Sequence, residues 1–341
     1  MSQRFNLCQR PGVGDRRRQL IADHAEPTIT RLSDRLAGKD AQHTQRPEHS
    51  VLATHNLSHN LRQFYHDASD DNDVLGVVEY QGKVKLGAVA LAALAILEHA
   101  NGDVSAIQRS PYAGIFNRLC KTIDWLWQPD GSFHTFYRPS DRNDNQNFYP
   151  GEALLFWATL YRAQPDASLL EKCYASIDYY QAWHRQHRNP AFIPWHTQAY
   201  RILFEVTGDR QLLEYIFDMN DWLLPMQQWH TARHGDIQGR FYDPSRSEYG
   251  PPHASSTGVY LEGLADAYAL AQRTGDVEHS LTYQEAIWRG VRSLRQLQFL
   301  DEGDMFYISK RSRVHGGVRT TVYDNVIRVD NVQHGLMALL K

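Results

Sequence analysis

Apolar residues along this chain recur at helical spacing, and they do so in two alternating styles. The stretch from Leu86 to Leu97 is apolar nearly all round, as expected for a helix with neighbours on every side. Three further segments end in the same way: LLFWATLYRAQPD at Asp166, AYRILFEVTGD at Asp209 and ADAYALAQRTGD at Asp276, matching LAALAILEHANGD at Asp103. Each is stopped by Gly or Pro and followed by an Asp that can cap the next helix. The helices that follow are amphipathic instead. Ile115, Phe116, Leu119 and Ile123 mark one apolar stripe, Leu170, Cys173, Ile177 and Tyr180 a second. Leu213, Ile216 and Phe217 mark a third, and Tyr283, Ile287, Val291 and Leu294 a fourth. Buried helices alternating with one-face-apolar helices predict an all-α fold, an (α/α)5–6 toroid with an inner and an outer ring. Five inner helices open near Val84, Pro150, Pro194, His253 and Asp330, with a further helix at His49–His66; five and six hairpins both fit.

The connections differ as sharply as the helices. Inner passes to outer through a tight turn, whereas three of the returns are long, around Gln128–Phe148, Pro225–Pro252 and Asp301–Ile327. They carry the strand-like fragments SFHTFY, GRFYDP and MFYISK. If all inner helices run the same way, these loops crowd one rim, over the N-termini of the buried helices, and a binding site is expected there. Residues 1–48 are Arg-rich and polar, with one weak helical pattern from Leu20 to Leu36. They read as an extension ahead of a toroid catalytic domain at 49–341.

Composition narrows the chemistry. The 36 Lys and Arg against 39 Asp and Glu leave no basic footprint, which speaks against nucleic acid as a partner class. Three scattered cysteines offer neither a disulfide framework nor a zinc spacing. No GxGxxG after a strand, GxxxxGK[ST], HExxH or GxSxG occurs. These readings predict no metal, no cofactor, no membrane span and a cytoplasmic protein.

Aligning the repeats on their terminal Asp isolates the polar positions. Fourteen residues before Asp166, Asp209 and Asp276 stand Glu152, Trp195 and Glu262, and His196 is one step further on. The last inner helix places Gln333 and His334 at comparable depth, after an Asp330-x-x-Gln333 pattern that suits a capping box. A carboxylate inside an apolar ring needs partners or a solvated cleft, so Glu152, Glu262, His196 and His334 are the candidate catalytic groups. Around them, Tyr149, Trp195, Tyr242 and Tyr260 could face a sugar ring, and His253 and Asp330 sit at helix openings. Arg142, Arg319 and Arg328, close to positive helix N-termini, would favour an anionic ligand such as a uronic acid.

The openings YPGEALLFWATLY, FIPWHTQAYRILFEVTGD and PHASSTGVYLEGLADAYALAQRTGD resemble those of α/α-toroid carbohydrate-active enzymes. Six-hairpin glycosidases, sugar 2-epimerases and glucuronyl C5-epimerase-type proteins are of this kind, and the likeness covers roughly residues 80–341. It implies an oligosaccharide or sugar substrate. Two acids at matching depth favour hydrolysis of an acidic glycan. Epimerisation through His196 with His334 or His253 is the alternative, and a non-catalytic glycan- or protein-binding toroid the third.

Overall fold

The computed structural model describes residues 47–70, 73–230 and 234–341. The chain divides into two units between Asn56 and Leu57. The helical pattern expected at Leu20–Leu36 and nearly all of the polar extension lie outside the described residues. The first described helix, α1 (Pro47–Phe64), leads into β1 (Tyr65–Asp70), β2 (Asp73–Tyr80) and β3 (Lys83–Lys85), which pair antiparallel in order with β4 (Phe136–Arg138). The protein is therefore mostly helical and not all-α. The β1–β2 hairpin escaped the helical reading because its apolar core is short: Leu75 and Val77 are buried, and Gly76 lies against α4 (Ala113–Leu126), where Thr122 Oγ1 donates to its carbonyl at 2.7 Å.

Helices then alternate. Four buried-type helices, α2 (Leu86–His99), α5 (Tyr149–Ala163), α7 (Ile193–Thr207) and α9 (Ala254–Thr274), are each followed by one packed on its back. The backing helices are α4, α6 (Ala167–Gln186), α8 (Arg210–Leu223) and α10 (Val277–Leu297); the one-turn α3 (Val104–Gln108) precedes α4. A fifth inner helix, α11 (Val329–Leu340), closes the described chain. Side by side, the inner helices run α2–α5–α7–α9–α11.

Their shared direction is visible in the contacts. Gly87 near the start of α2 meets Glu152 near the start of α5, while Arg273 at the end of α9 pairs with Glu205 near the end of α7. Local chemistry sets the turns between the layers. The carboxylates of Asp103, Asp166, Asp209 and Asp276 accept backbone N–H bonds from Ala106, Leu169, Gln211 and His279 at 2.9–3.1 Å. Gly208 and Gly275, at φ 73° and 74°, take the left-handed positions that end α7 and α9, where a side chain would add strain. Replacing Asp166 with Ala removes one such cap and is expected to cost about 1 kcal/mol, read as a lower urea midpoint at unchanged slope.

The long returns depart from expectation in detail. Only Phe136–Arg138 of the first becomes a strand, and Phe241 of the second makes a single bridge to Gln227. MFYISK forms turns: Met305 is buried, but Phe306 and Tyr307 are exposed, so its apolar run has no sheet to join. Among the described residues no helix is long and apolar enough to cross a membrane.

Candidate active site

The inner helices turn one face each towards a cavity of about 820 Å³. Helical spacing selects that face: Glu152, Leu155, Thr159 and Arg162 on α5, and Trp195, Gln198, Arg201 and Glu205 on α7. Ten residues of helix give the cavity a length of about 15 Å. Glu262 and Asp266 of α9, Gln333 and His334 of α11, and Leu91 and Leu94 of α2 complete most of the wall.

Two carboxyl groups at one end differ in their surroundings. Glu152 follows Pro150 in the first turn of α5, and burial raises its pKa to about 7, with Lys85 only partly offsetting this. Its room is made by Gly87, since a Cβ there would fall 1.8 Å from Glu152 Oε2. Gly87→Ala is therefore expected to displace this carboxyl and shift its titration away from about pH 7, read by NMR, with the helical circular dichroism retained.

Glu262 is buried too, but it is anchored: His334 Nδ1–H donates to Oε1 at 2.7 Å. Gly258 lets α11 come close enough for this contact, because a Cβ at 258 would meet His334 Cβ at 2.9 Å. Trp195 stands edge-on to the His334 ring at 6.1 Å.

One turn beyond Glu262 lies Asp266, which the repeat alignment passed over. It is buried and held by Arg201 and by Lys341 at 2.8 Å, and Lys341 also donates to Gln198 Oε1 at 2.7 Å. The signal for this layer was present in the i, i+4 step from Glu262 to Asp266 and the i, i+3 step from Trp195 to Gln198. Five carboxyl side chains and three Lys or Arg side chains line the whole cavity, so it has no excess of positive charge.

A solved structure of a family 76 glycoside hydrolase from a bovine Bacteroides thetaiotaomicron strain matches this chain with a TM-score of 0.50. The match covers 85% of this chain and 76% of that one at 14% sequence identity. The two share a fold. The resemblance read from the helix openings is thus a likeness to an α/α-toroid glycosidase family. No protein-family model matches the chain, and no curated protein matches it.

Within this toroid-like fold, several expected site residues stand apart from the cavity. His196 is fully buried, stacked on Phe192 at 3.5 Å with Nδ1 against Tyr200 Oη at 3.1 Å, and burial holds its pKa well below the usual histidine value. It points into the packing between layers because it lies one residue, or about 100°, around the helix from Trp195. His253 caps α9, its Nδ1 accepting from Ser256 N–H at 3.1 Å. Tyr260 is a core residue edge-on to Phe241, and Tyr149 lies half-buried behind Glu152 against Phe136.

The expected anion-binding arginines are engaged elsewhere. Arg142 forks onto Asp144 at 2.9 and 2.6 Å, Arg328 onto Asp330, and Arg319 donates to Tyr307 Oη at 3.1 Å. None of the three lines the cavity. Asp330 is not a capping-box acid either, because α11 begins one residue earlier, at Val329, with no side-chain cap. Tyr242 belongs to a different, smaller cavity. Among the described residues no cluster of His, Cys, Asp and Glu is arranged to hold a metal ion.

Proposed function

We propose that this chain is a glycoside hydrolase that cuts a neutral glycan lying along the inner-helix cavity. Glu152 donates the proton to the leaving oxygen. Glu262, oriented by His334, works on the other side of the bond, as the base that activates water or as the nucleophile. The observation that carries this reading is a pair of carboxyl groups in one cavity with unlike surroundings. One is desolvated and keeps its proton to about pH 7, and the other accepts a hydrogen bond from an imidazole. The likeness in fold to a glycoside hydrolase supports it. A neutral substrate is favoured over a uronate because the cavity's cations are outnumbered by carboxyl groups, and Arg142, Arg319 and Arg328 are committed outside it. Epimerisation loses two of its three histidines to packing and capping.

The test uses matched neutral and uronate oligosaccharides in deuterated water, followed by NMR. Shortened neutral chains are the expected result. Deuterium on a ring carbon without shortening would replace hydrolysis by epimerisation, and binding without either change would make the toroid a binding module.

A further inference from the structure

A second cavity, of about 360 Å³, lies outside the acid-lined one, where the end of α8 meets the long return to α9. Trp222 of α8 and Tyr242 and Tyr249 of the return supply aromatic walls, and Gln228, Asp243 and Arg246 supply polar edges. Outer helices end on the rim where inner helices begin, so the end of α8 beside this cavity lies at the same rim as the first turn of α5, which carries Glu152.

Most of its wall is fixed by the fold. Tyr249 Oη donates to the Arg188 carbonyl at 2.9 Å, Trp222 stands edge-on to Tyr249 at 6.1 Å, and Gln228 Nε2 donates to the Tyr242 carbonyl at 2.7 Å. Tyr242 is the exception. Half-buried in the wall, its side chain makes neither a hydrogen bond nor a ring contact among the described residues. Its hydroxyl is not among the buried polar atoms that lack a partner, so the side chain is open to a ligand that enters the cavity. Beside it, Ser245 engages only Oδ1 of Asp243, and Arg246 reaches Glu248 no closer than 3.5 Å. One acceptor, one donor fork and aromatic walls match a small ligand with an apolar face and a hydroxyl-bearing edge. The opposed charges of Asp243 and Arg246 disfavour a strongly charged ligand.

We infer that this cavity is a separate binding site for a neutral saccharide unit, stacked on Tyr242 and hydrogen-bonded by Asp243 and Arg246. Its volume lies at the small end of ligand sites, which suits one or two rings and not a polymer segment. The inference rests on this cavity alone and stands whether or not the main cavity hydrolyses glycans.

The test is calorimetric titration of the full chain with methyl glycosides of glucose, mannose, galactose and N-acetylglucosamine, and with glucan and mannan trisaccharides, at millimolar concentration. A Trp195→Ala background weakens the main cavity's contribution. At least one neutral probe is expected to bind, and Tyr242→Ala and Arg246→Ala are each expected to weaken it about tenfold or more. Both variants should leave turnover of a short soluble substrate unchanged. Binding of methyl glycosides would mark recognition of a single unit, and binding of trisaccharides alone would mark recognition within a glycan. Arg246 is exposed, so its variant keeps the test valid if Tyr242→Ala fails to fold. Failure of every neutral probe to bind, or affinities unmoved by both variants, would overturn the inference. Loss of binding with hydrolysis intact supports it, and absence of hydrolysis with binding intact rejects only the hydrolase reading.

Discussion

Glu152→Gln is expected to lower hydrolytic kcat/KM by about 10²–10⁴-fold and to abolish the alkaline limb of the pH profile. The amide keeps the shape of the side chain but has no proton to give. On the proposed mechanism the limb arises because Glu152 acts in its protonated form, and burial raises its pKa to about 7. Activity should therefore fall as pH rises through about 7. A leaving group that needs no protonation, such as dinitrophenolate, should recover much of the lost rate in the variant. If the variant instead kept the alkaline limb, another group would be the acid.

A second large effect concerns stability and arises away from the cavity. Phe192 is sandwiched between two buried imidazoles, His196 at 3.5 Å and His184 at 4.0 Å. Each has one nitrogen against a tyrosine hydroxyl, Tyr200 for His196 and Tyr215 for His184, and among the described residues its Nε2 has no hydrogen-bond partner. Burial pulls the His184 pKa down to about 3 and that of His196 well below its usual value. Both therefore stay neutral in the folded protein at pH 5, whereas in the unfolded chain they take up protons below about 6.5. The unfolded state binds more protons, so stability falls as pH falls. For His184 the loss from pH 7 to pH 5 is about 2 kcal/mol, and His196 adds a loss of the same sign.

Glu152 opposes this over the same interval. Its raised pKa means that the folded state takes up the proton first, so acidification stabilises the fold by about 2 kcal/mol between pH 7 and 5. Glu152→Gln lacks this offset and is therefore expected to lose about 2 kcal/mol more than the unsubstituted protein between pH 7 and 5. Urea unfolding of both proteins at the two pH values checks this difference. His196→Phe, which retains the ring stack, should make stability less sensitive to acidification. A stability that is flat in Glu152→Gln between pH 7 and 5 would refute the neutral-histidine reading. Carboxylates such as Asp166 and Asp276, whose pKa values are lowered by the side chains of Ser168 and His279 and then by their capping bonds, lose their contributions only at lower pH.

These cases show how far the chain could be read unaided. Glu152, Trp195 and Glu262 stand at one offset from a capping Asp, and all three line the cavity. The offset carries information because helix caps are local and the helical rise is constant, so equal counts from a cap reach equal depth. The same count placed His196 near the mouth, but depth does not specify direction. A difference of about 100° turns Trp195 to the cavity and His196 to the core. The arginines misled for a related reason. Asp144 and Asp330 satisfy Arg142 and Arg328 at i+2, Tyr307 engages Arg319, and the openings of the buried helices are left to other residues.

From sequence alone came the alternation of buried and amphipathic helices, the four Asp caps and the tight inner-to-outer turns, because each depends on residues within a few positions of one another. Tertiary structure decided the rest. It paired His334 with Glu262 across 72 positions, locked Asp266 between Arg201 and Lys341, and set Tyr242 in a cavity of its own. It also raised the pKa of Glu152 while depressing those of His184 and His196. Desolvation and side-chain pairing depend on which distant elements surround a group, and no local pattern in the chain specifies that.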